Sequence, residues 1–182
     1  MKTQNQTMLS ENTLTSRPTD IIAGFPVRPG FFELNGATPL SNGVNFTAHT
    51  RHGTSCELLL FHSGEEEPFA VLPFPNACRI GDVYSMIVMG LDIEDLEYGY
   101  RIDGPYEPEK GHIFDKTKIL LDPYAKAVAG QREWGQQKIG SYHARVVRDS
   151  FDWEDMPQSP RKISDLIIYE LHVRGFTQDS SS

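Results

Sequence analysis

The segment Tyr98–Asp103 constrains the fold of this chain more than any other stretch. Tyr98, Tyr100 and Ile102 alternate with Gly99, Arg101 and Asp103. A period of two places the rings and Ile102 on one face of a strand and the remaining groups on the other. Asp103-Gly104-Pro105 then ends the strand, because glycine tolerates unusual φ and proline lacks the donor a ladder needs. The chain runs on as loop through Tyr106 and Pro108, turns at Gly111-His112 and reaches the apolar run Ile119-Leu120-Leu121. Asp122 can cap a helix, Pro123 suits its first position and Gly130 suits its stop, so a short helix is predicted from Asp122.

Upstream, Val44, Phe46 and Ala48 alternate with Asn45, Thr47 and His49, which predicts a strand with one buried face. Cys56–Phe61 is almost continuously apolar and reads as a central strand. Phe69–Leu72 and Val83–Met89 follow as further strands. Gly36 and Pro39–Gly43 read as a turn, Ser63–Glu67 as a charged hairpin end, and Leu91–Glu97 as an acidic turn. Short strands punctuated by glycine, proline and acid argue for an all-β, antiparallel sandwich. Long segments of period 3.6 are absent there, which counts against a helical bundle or a doubly wound sheet.

The sandwich is expected over residues 21–115. Residues 1–20 are rich in Thr, Ser, Asn and Gln and are expected to form a disordered tail. Residues 116–163, polar and interrupted by Pro157 and Pro160, read as an irregular connector. Residues 164–182 begin with the apolar strand Leu166–Val173. Hydrophobic residues make up 38% of the chain, enough for a core. The net charge of −8 disfavours binding to a phosphate backbone, so no nucleic acid partner is expected. No apolar stretch has the length of a membrane span, and Met1–Asp20 has no apolar leader core, so a cytoplasmic location is expected. Cys56 and Cys78 lack C-x-x-C spacing and read as free thiols rather than a zinc site or a disulfide framework.

Three motifs in order carry a resemblance. YGYR-x-x-GPY, then GH-x-F, then LLDPYAKAV, across Tyr98–Val128, resemble the N-terminal module of isoamylase-type glycogen debranching enzymes of glycoside hydrolase family 13. Gly43–Thr47 is similar to that module's early strand, and Leu166–Thr177 (LIIYELHVRGFT) to the first strand of the family's catalytic barrel. The resemblance runs from about Pro29 to the end. It implies an immunoglobulin-like sandwich of the carbohydrate-binding module 48 type, a connector and one strand of a (β/α)8 barrel. It implies a parent that cleaves α-1,6 branch points of glycogen or a related α-glucan by a retaining mechanism. A stand-alone glucan-binding or interaction module, a branching enzyme and a trehalose-releasing hydrolase are the alternatives. A barrel needs about 250 residues, so the chain is expected to be the front end of a longer enzyme.

No catalytic residue transfers. Retaining hydrolysis needs two carboxylates about 5–5.5 Å apart on a rigid scaffold, one with a raised pKa. In the family they come from later barrel strands, and the accompanying D-x-x-x-N-H does not occur here. The acidic clusters Glu65–Glu67, Asp92 with Glu94 and Asp95, and Asp152 with Glu154 and Asp155 read as solvated turn charges. This chain by itself is therefore expected to be inactive. Ser159-Pro160-Arg161-Lys162 fits S-x-x-K but sits in a proline-interrupted loop. His49 and His52 lie three apart and converge only around a turn, so no metal site is assigned and no cofactor is expected. Asn45-Phe46-Thr47 fits the glycosylation pattern but reads more simply as strand.

Sugars stack on exposed aromatic faces, tryptophan offering the largest. Related glycogen-binding modules carry tryptophans on the sandwich, whereas Trp134 and Trp153 both fall in the connector here. That departure counts against independent glycogen binding and leaves Tyr106 and Trp134 as candidate carbohydrate contacts. The plainer roles are packing on the connector for Tyr106 and docking on the barrel for Trp134. Glu170, His172 and Arg174 alternate with Tyr169, Leu171 and Val173, and read as a structural polar face rather than a subsite. The expected partners are an α-glucan, the missing catalytic barrel and, through the exposed edge of Leu166–Val173, another copy of the chain.

Overall fold

The computed structural model describes residues 17–130, 142–148, 152, 161–176 and 178. Its strands are β1 (Asp20–Ile22), β2 (Phe25–Pro29), β3 (Gly36–Leu40), β4 (Gly43–His49), β5 (Ser55–His62), β6 (Ala70–Pro73), β7 (Arg79–Ile80), β8 (Val83–Met89), β9 (Leu96–Asp103), β10 (Tyr106–Glu107), β11 (His112–Ile113), β12 (Ala127–Ala129) and β13 (His143–Arg145). One sheet has the order β1-β2-β8-β4-β3, with β7 beside β8. The second has the order β12-β13-β9-β5-β6, and β10 and β11 form a separate hairpin. Every pairing is antiparallel. The chain groups into two units, residues 1–148 and 149–182.

Alternation builds the core between the two sheets. Val44, Phe46, Ala48, Met86 and Val88 from the first meet Leu58, Leu60, Tyr98 and Tyr100 from the second. The Phe46 and Tyr98 rings meet edge-on at 5.1 Å. β5 is central, between β9 and β6, as its apolar run predicts. Tyr98, Tyr100 and Ile102 all point inward.

Several elements differ from the sequence reading. The turn expected at Gly36 and Pro39–Gly43 is instead β3, in register with β4 from Gly36↔Thr47 to Leu40↔Gly43. Pro39 fits because β3 is an edge strand, where a missing donor costs no ladder bond. β4 is buried on both faces up to Ala48, since Gly30-Phe31 crosses its outer side. β9 begins at Leu96, inside the expected acidic turn, and Asp20 of the expected tail opens β1.

The helix predicted from Asp122 does not form. Ala125 N–H donates to the Asp122 carbonyl at 3.0 Å, closing a single turn, and the chain then enters β12. Aspartate followed by proline serves a turn as well as a helix start, and here the sheet edge takes the chain. β12 and β13 lie beyond residue 115, in the expected connector, yet both extend the second sheet. The sandwich therefore runs past the boundary read from sequence, because β9 still had an open edge to pair.

In the second unit, Ile163–Asp165 forms a 3-10 turn and Val173–Phe176 a short helix, α1. No ladder forms along residues 166–172, so the predicted barrel strand is not seen as a strand. A strand requires a partner for its backbone, and none of the described residues pairs with this one. Ile167, Ile168 and Tyr169 are exposed. The expected alternation of Glu170 and His172 against Tyr169 and Leu171 thus has no sheet to act on, and His172 Nδ1 accepts a local bond from Gly175 N–H at 3.0 Å.

Candidate functional site

The hairpin β10–β11 presents the sequence-predicted contact Tyr106. It grows from the end of β9 at Asp103-Gly104. A Cβ on Gly104 would stand 2.6 Å from the Phe114 ring, so only glycine lets that ring lie against the backbone. Phe114, packed on the core, anchors the returning arm, and its N–H reaches the Pro105 carbonyl at 3.4 Å. Pro108–Lys110 makes a 3-10 turn that Gly111 closes at φ 80°, in the left-handed region glycine favours. The register pairs Tyr106 with Ile113 and Glu107 with His112. Cross-strand partners share a face. Tyr106 and Ile113, 71% and 70% exposed, form an outward apolar pair. His112 lies against His52, their ring centroids 4.5 Å apart, so the other face meets the turn between β4 and β5.

The second sheet, at the end opposite the one from which the hairpin grows, holds another aromatic that sequence reasoning passed over. Phe69 is 41% exposed, with the His62 ring at 4.4 Å and the Phe25 ring at 6.2 Å. The one sequence signal is its position just past the hairpin end Ser63–Glu67. His62 Nδ1 lies 2.8 Å from Asp95 Oδ2, and Ser63 N–H donates to Asp95 Oδ1. These bonds, the Ser63 amide first, hold the Asp95 carboxyl below its ordinary range. Glu97 is buried beside it and accepts from Ser63 Oγ, Gly64 N–H and His143 Nδ1. Phe61 stacks on the His143 ring at 3.8 Å.

The remaining polar groups are structural. Asp122 is buried; its Oδ2 accepts from the Tyr98 hydroxyl at 2.8 Å and its Oδ1 from Tyr124 N–H. Burial nevertheless pushes its carboxyl up. Glu65–Glu67 and the group Asp92, Glu94 and Asp95 are exposed turn charges, as read from sequence. Burial drives the thiols of Cys56 and Cys78 up, to about 12 and about 11. Asn45 is fully buried and bonded to Phe31, which closes its glycosylation pattern to an enzyme. Among the described residues no group of three or more His, Cys, Asp or Glu could hold a metal ion, and no helix is long and apolar enough to cross a membrane. Trp134, Trp153 and the Ser159 end of the S-x-x-K stretch lie outside the described residues.

The family model of carbohydrate-binding module 48 (isoamylase N-terminal domain) matches residues 35–125, half of the chain. The chain belongs to this family. The matched span of this module runs from β3 to the Asp122 turn and contains both the Tyr106 hairpin and Phe69. Isoamylase 1, chloroplastic, of Arabidopsis thaliana is 36% identical over 158 residues, covering 81% of this chain and 20% of that protein. The glycogen debranching enzyme of Salmonella typhi is 35% identical over 156 residues, covering 79% and 23%. The chain thus spans about a fifth of the length of the curated relatives it matches. Among solved structures, pullulanase type I from Bacillus subtilis str. 168 complexed with maltose superposes with a TM-score of 0.47 at 19% identity, over 70% of this chain and 15% of that one.

Proposed function

We propose that this module is the N-terminal, glucan-facing part of a glycoside hydrolase that cleaves α-1,6 branch points of glycogen or a related α-glucan. The observation that carries this reading is the reach of the similarity. Isoamylase and debranching-enzyme identity extends over 158 and 156 residues, well past the module's own span of 35–125. The work of this part is binding and positioning, since its described acidic clusters are solvated turn charges. The outward pair Tyr106 and Ile113 is the glucan contact, with Trp134 as a second aromatic. Stacking on one tyrosine face is weak, so the affinity of the module alone is low. The cytoplasm suits its two buried free thiols. Leu166–Val173, exposed along most of its length, is where copies of the chain associate, and light scattering before and after removal of residues 164–182 reads this out.

The test uses the natural reading frame that contains this chain. Incubated with glycogen, it should release linear maltooligosaccharides and raise iodine absorbance, while residues 1–182 alone release no reducing ends. Products carrying new branch points, or free trehalose, overturn the debranching reading. For the contact itself, affinity electrophoresis in glycogen gels should show slight retardation that Tyr106→Ala removes. Retardation unchanged by that substitution moves the contact elsewhere.

A further inference from the structure

We propose that Phe69, His62 and Asp95 form a second glucan contact, a pyranose platform at the end of the sandwich opposite the Tyr106 hairpin. That end is where β5 runs out and β9 begins, His62 pairing with Leu96. Rings converge there from three segments. His62 closes β5, Phe69 leads into the edge strand β6, and Phe25 opens β2 in the other sheet. The Phe69 and His62 centroids are 4.4 Å apart, with planes inclined at 30°. Phe25, itself packed against the core, backs Phe69 at 6.2 Å. These neighbours hold the Phe69 ring without covering it, since Phe69 keeps its exposure. A ring fixed before binding loses little freedom when a ligand stacks on it.

Hydroxyl acceptors stand beside this ring. Asp95 Oδ2 lies 2.8 Å from His62 Nδ1, and Asp95 Oδ1 accepts from the Ser63 amide. A carboxylate held low by these bonds stays ionised and can only accept. The shared proton therefore sits on His62 Nδ1, which leaves Nε2 of the neutral ring as an oriented acceptor. Both side chains are half-exposed, and each Asp95 oxygen keeps a lone pair for a further bond. An apolar ring flanked by oriented acceptors suits a pyranose, which offers a C–H face and a rim of O–H donors. Charge narrows the class. Glu65, Glu66 and Glu67 lead up to Phe69, and Glu94 precedes Asp95. Arg145 donates to the Glu94 carbonyl from the other side. The acidic rim repels phosphate and carboxylate ligands and leaves a neutral polyol unopposed. That this polyol is an α-glucan rests on the debranching reading of the module. The ends of β9 stand about 24 Å apart at the rise of an antiparallel strand. Two weak contacts so separated engage one branched particle together, and the loss of either collapses the joint binding. Phe69→Ala should therefore remove glycogen-gel retardation as Tyr106→Ala does.

The test is titration of the 182-residue chain with maltotriose, too short to join the two contacts, followed by the His62 imidazole and Phe69 ring resonances in NMR. Both should shift saturably, and should do so in Tyr106→Ala as well. Phe69→Ala should weaken the binding read at His62 by about tenfold. Phe69→Leu, which keeps apolar bulk without a flat face, should weaken it equally, and Phe69→Tyr should retain it. Unchanged thermal unfolding of Phe69→Leu separates a lost platform from a lost fold. Static resonances in the unaltered chain, or unaltered affinity in Phe69→Leu, overturn the proposal. Shifts with trilysine and none with maltotriose overturn it in favour of a cationic peptide. Shifts with cellotriose alone support the platform and overturn the α-glucan reading. Maltotriose binding that leaves His62 and Phe69 unmoved overturns the platform and keeps that reading.

Discussion

The two sheets bury polar side chains on their outer faces, but with different chemistry. On the first, Asn45, Thr47 and Ser85 are all neutral and fully buried. Asn45 Oδ1 accepts from Phe31 N–H at 2.8 Å, Thr47 and Ser85 share a hydroxyl contact at 2.7 Å, and the Gly30 backbone lies so close that a Cβ would run into Asn45 and Ser85. On the second, Glu97 and His143, 2% and 3% exposed, hold the Ser63-Gly64 turn and strap β13 to β9. Both clusters do the same job, satisfying the backbone of a crossing segment. The neutral one adds little desolvation cost. The charged one depends on every partner staying in place, since a buried charge left alone is expensive.

The largest effect should come from breaking the charged cluster. Glu97→Ala removes the acceptor shared by His143 Nδ1, Gly64 N–H and Ser63 Oγ, and should cost about 3–5 kcal/mol in urea unfolding. Asn45→Ala, which leaves the Phe31 amide unpaired, should cost about 1–3 kcal/mol. Equal losses at the two sites would erase the distinction between neutral and charged clamps.

Two aspartates sharpen it through opposite pH dependence. The Asp122 carboxyl is raised above its ordinary value of 3.8, burial outweighing its bonds from Tyr124 and Tyr98. Its contribution is fully present below the unfolded pKa and is lost as pH rises through the folded one. The stability deficit of Asp122→Asn should therefore be greatest in acid and shrink toward neutrality. The smallest effect belongs to Asp95, in water and lowered by the Ser63 amide and His62. Its contribution is present above the unfolded value and lost as pH falls through the folded one. Asp95→Asn should show a slight deficit at neutral pH that disappears in acid. Thermal unfolding across that range reads both, and parallel trends would refute the assignment.

Much of the sandwich was legible in the chain. The alternations in Val44–His49 and Tyr98–Asp103 and the apolar run Cys56–Phe61 each form the strand they predict. The motif order also led to the module family. Tyr106 was legible as a candidate because it follows a strand-ending Asp-Gly-Pro, and the hairpin does expose it. Phe69 was not, because a lone phenylalanine at a strand start carries no sign of whether its edge is covered. The pairing of His52 with His112 was equally invisible, sixty positions separating two residues that meet only where hairpin and turn converge.

Local pattern decided what is settled by side-chain alternation and turn chemistry: which residues face inward, and where glycine and proline stop a strand. Tertiary structure alone decided what depends on an open edge or a covering segment. Pro39 belongs to a strand because β3 lies at an edge. Asp122 caps a single turn rather than a helix, because the chain beyond it pairs with β13, which in turn completes β9. Leu166–Leu171, as apolar as any strand of the sandwich, forms no ladder. A strand is a relation between two segments, and hydrogen-bonding capacity in one of them specifies only that a partner is needed.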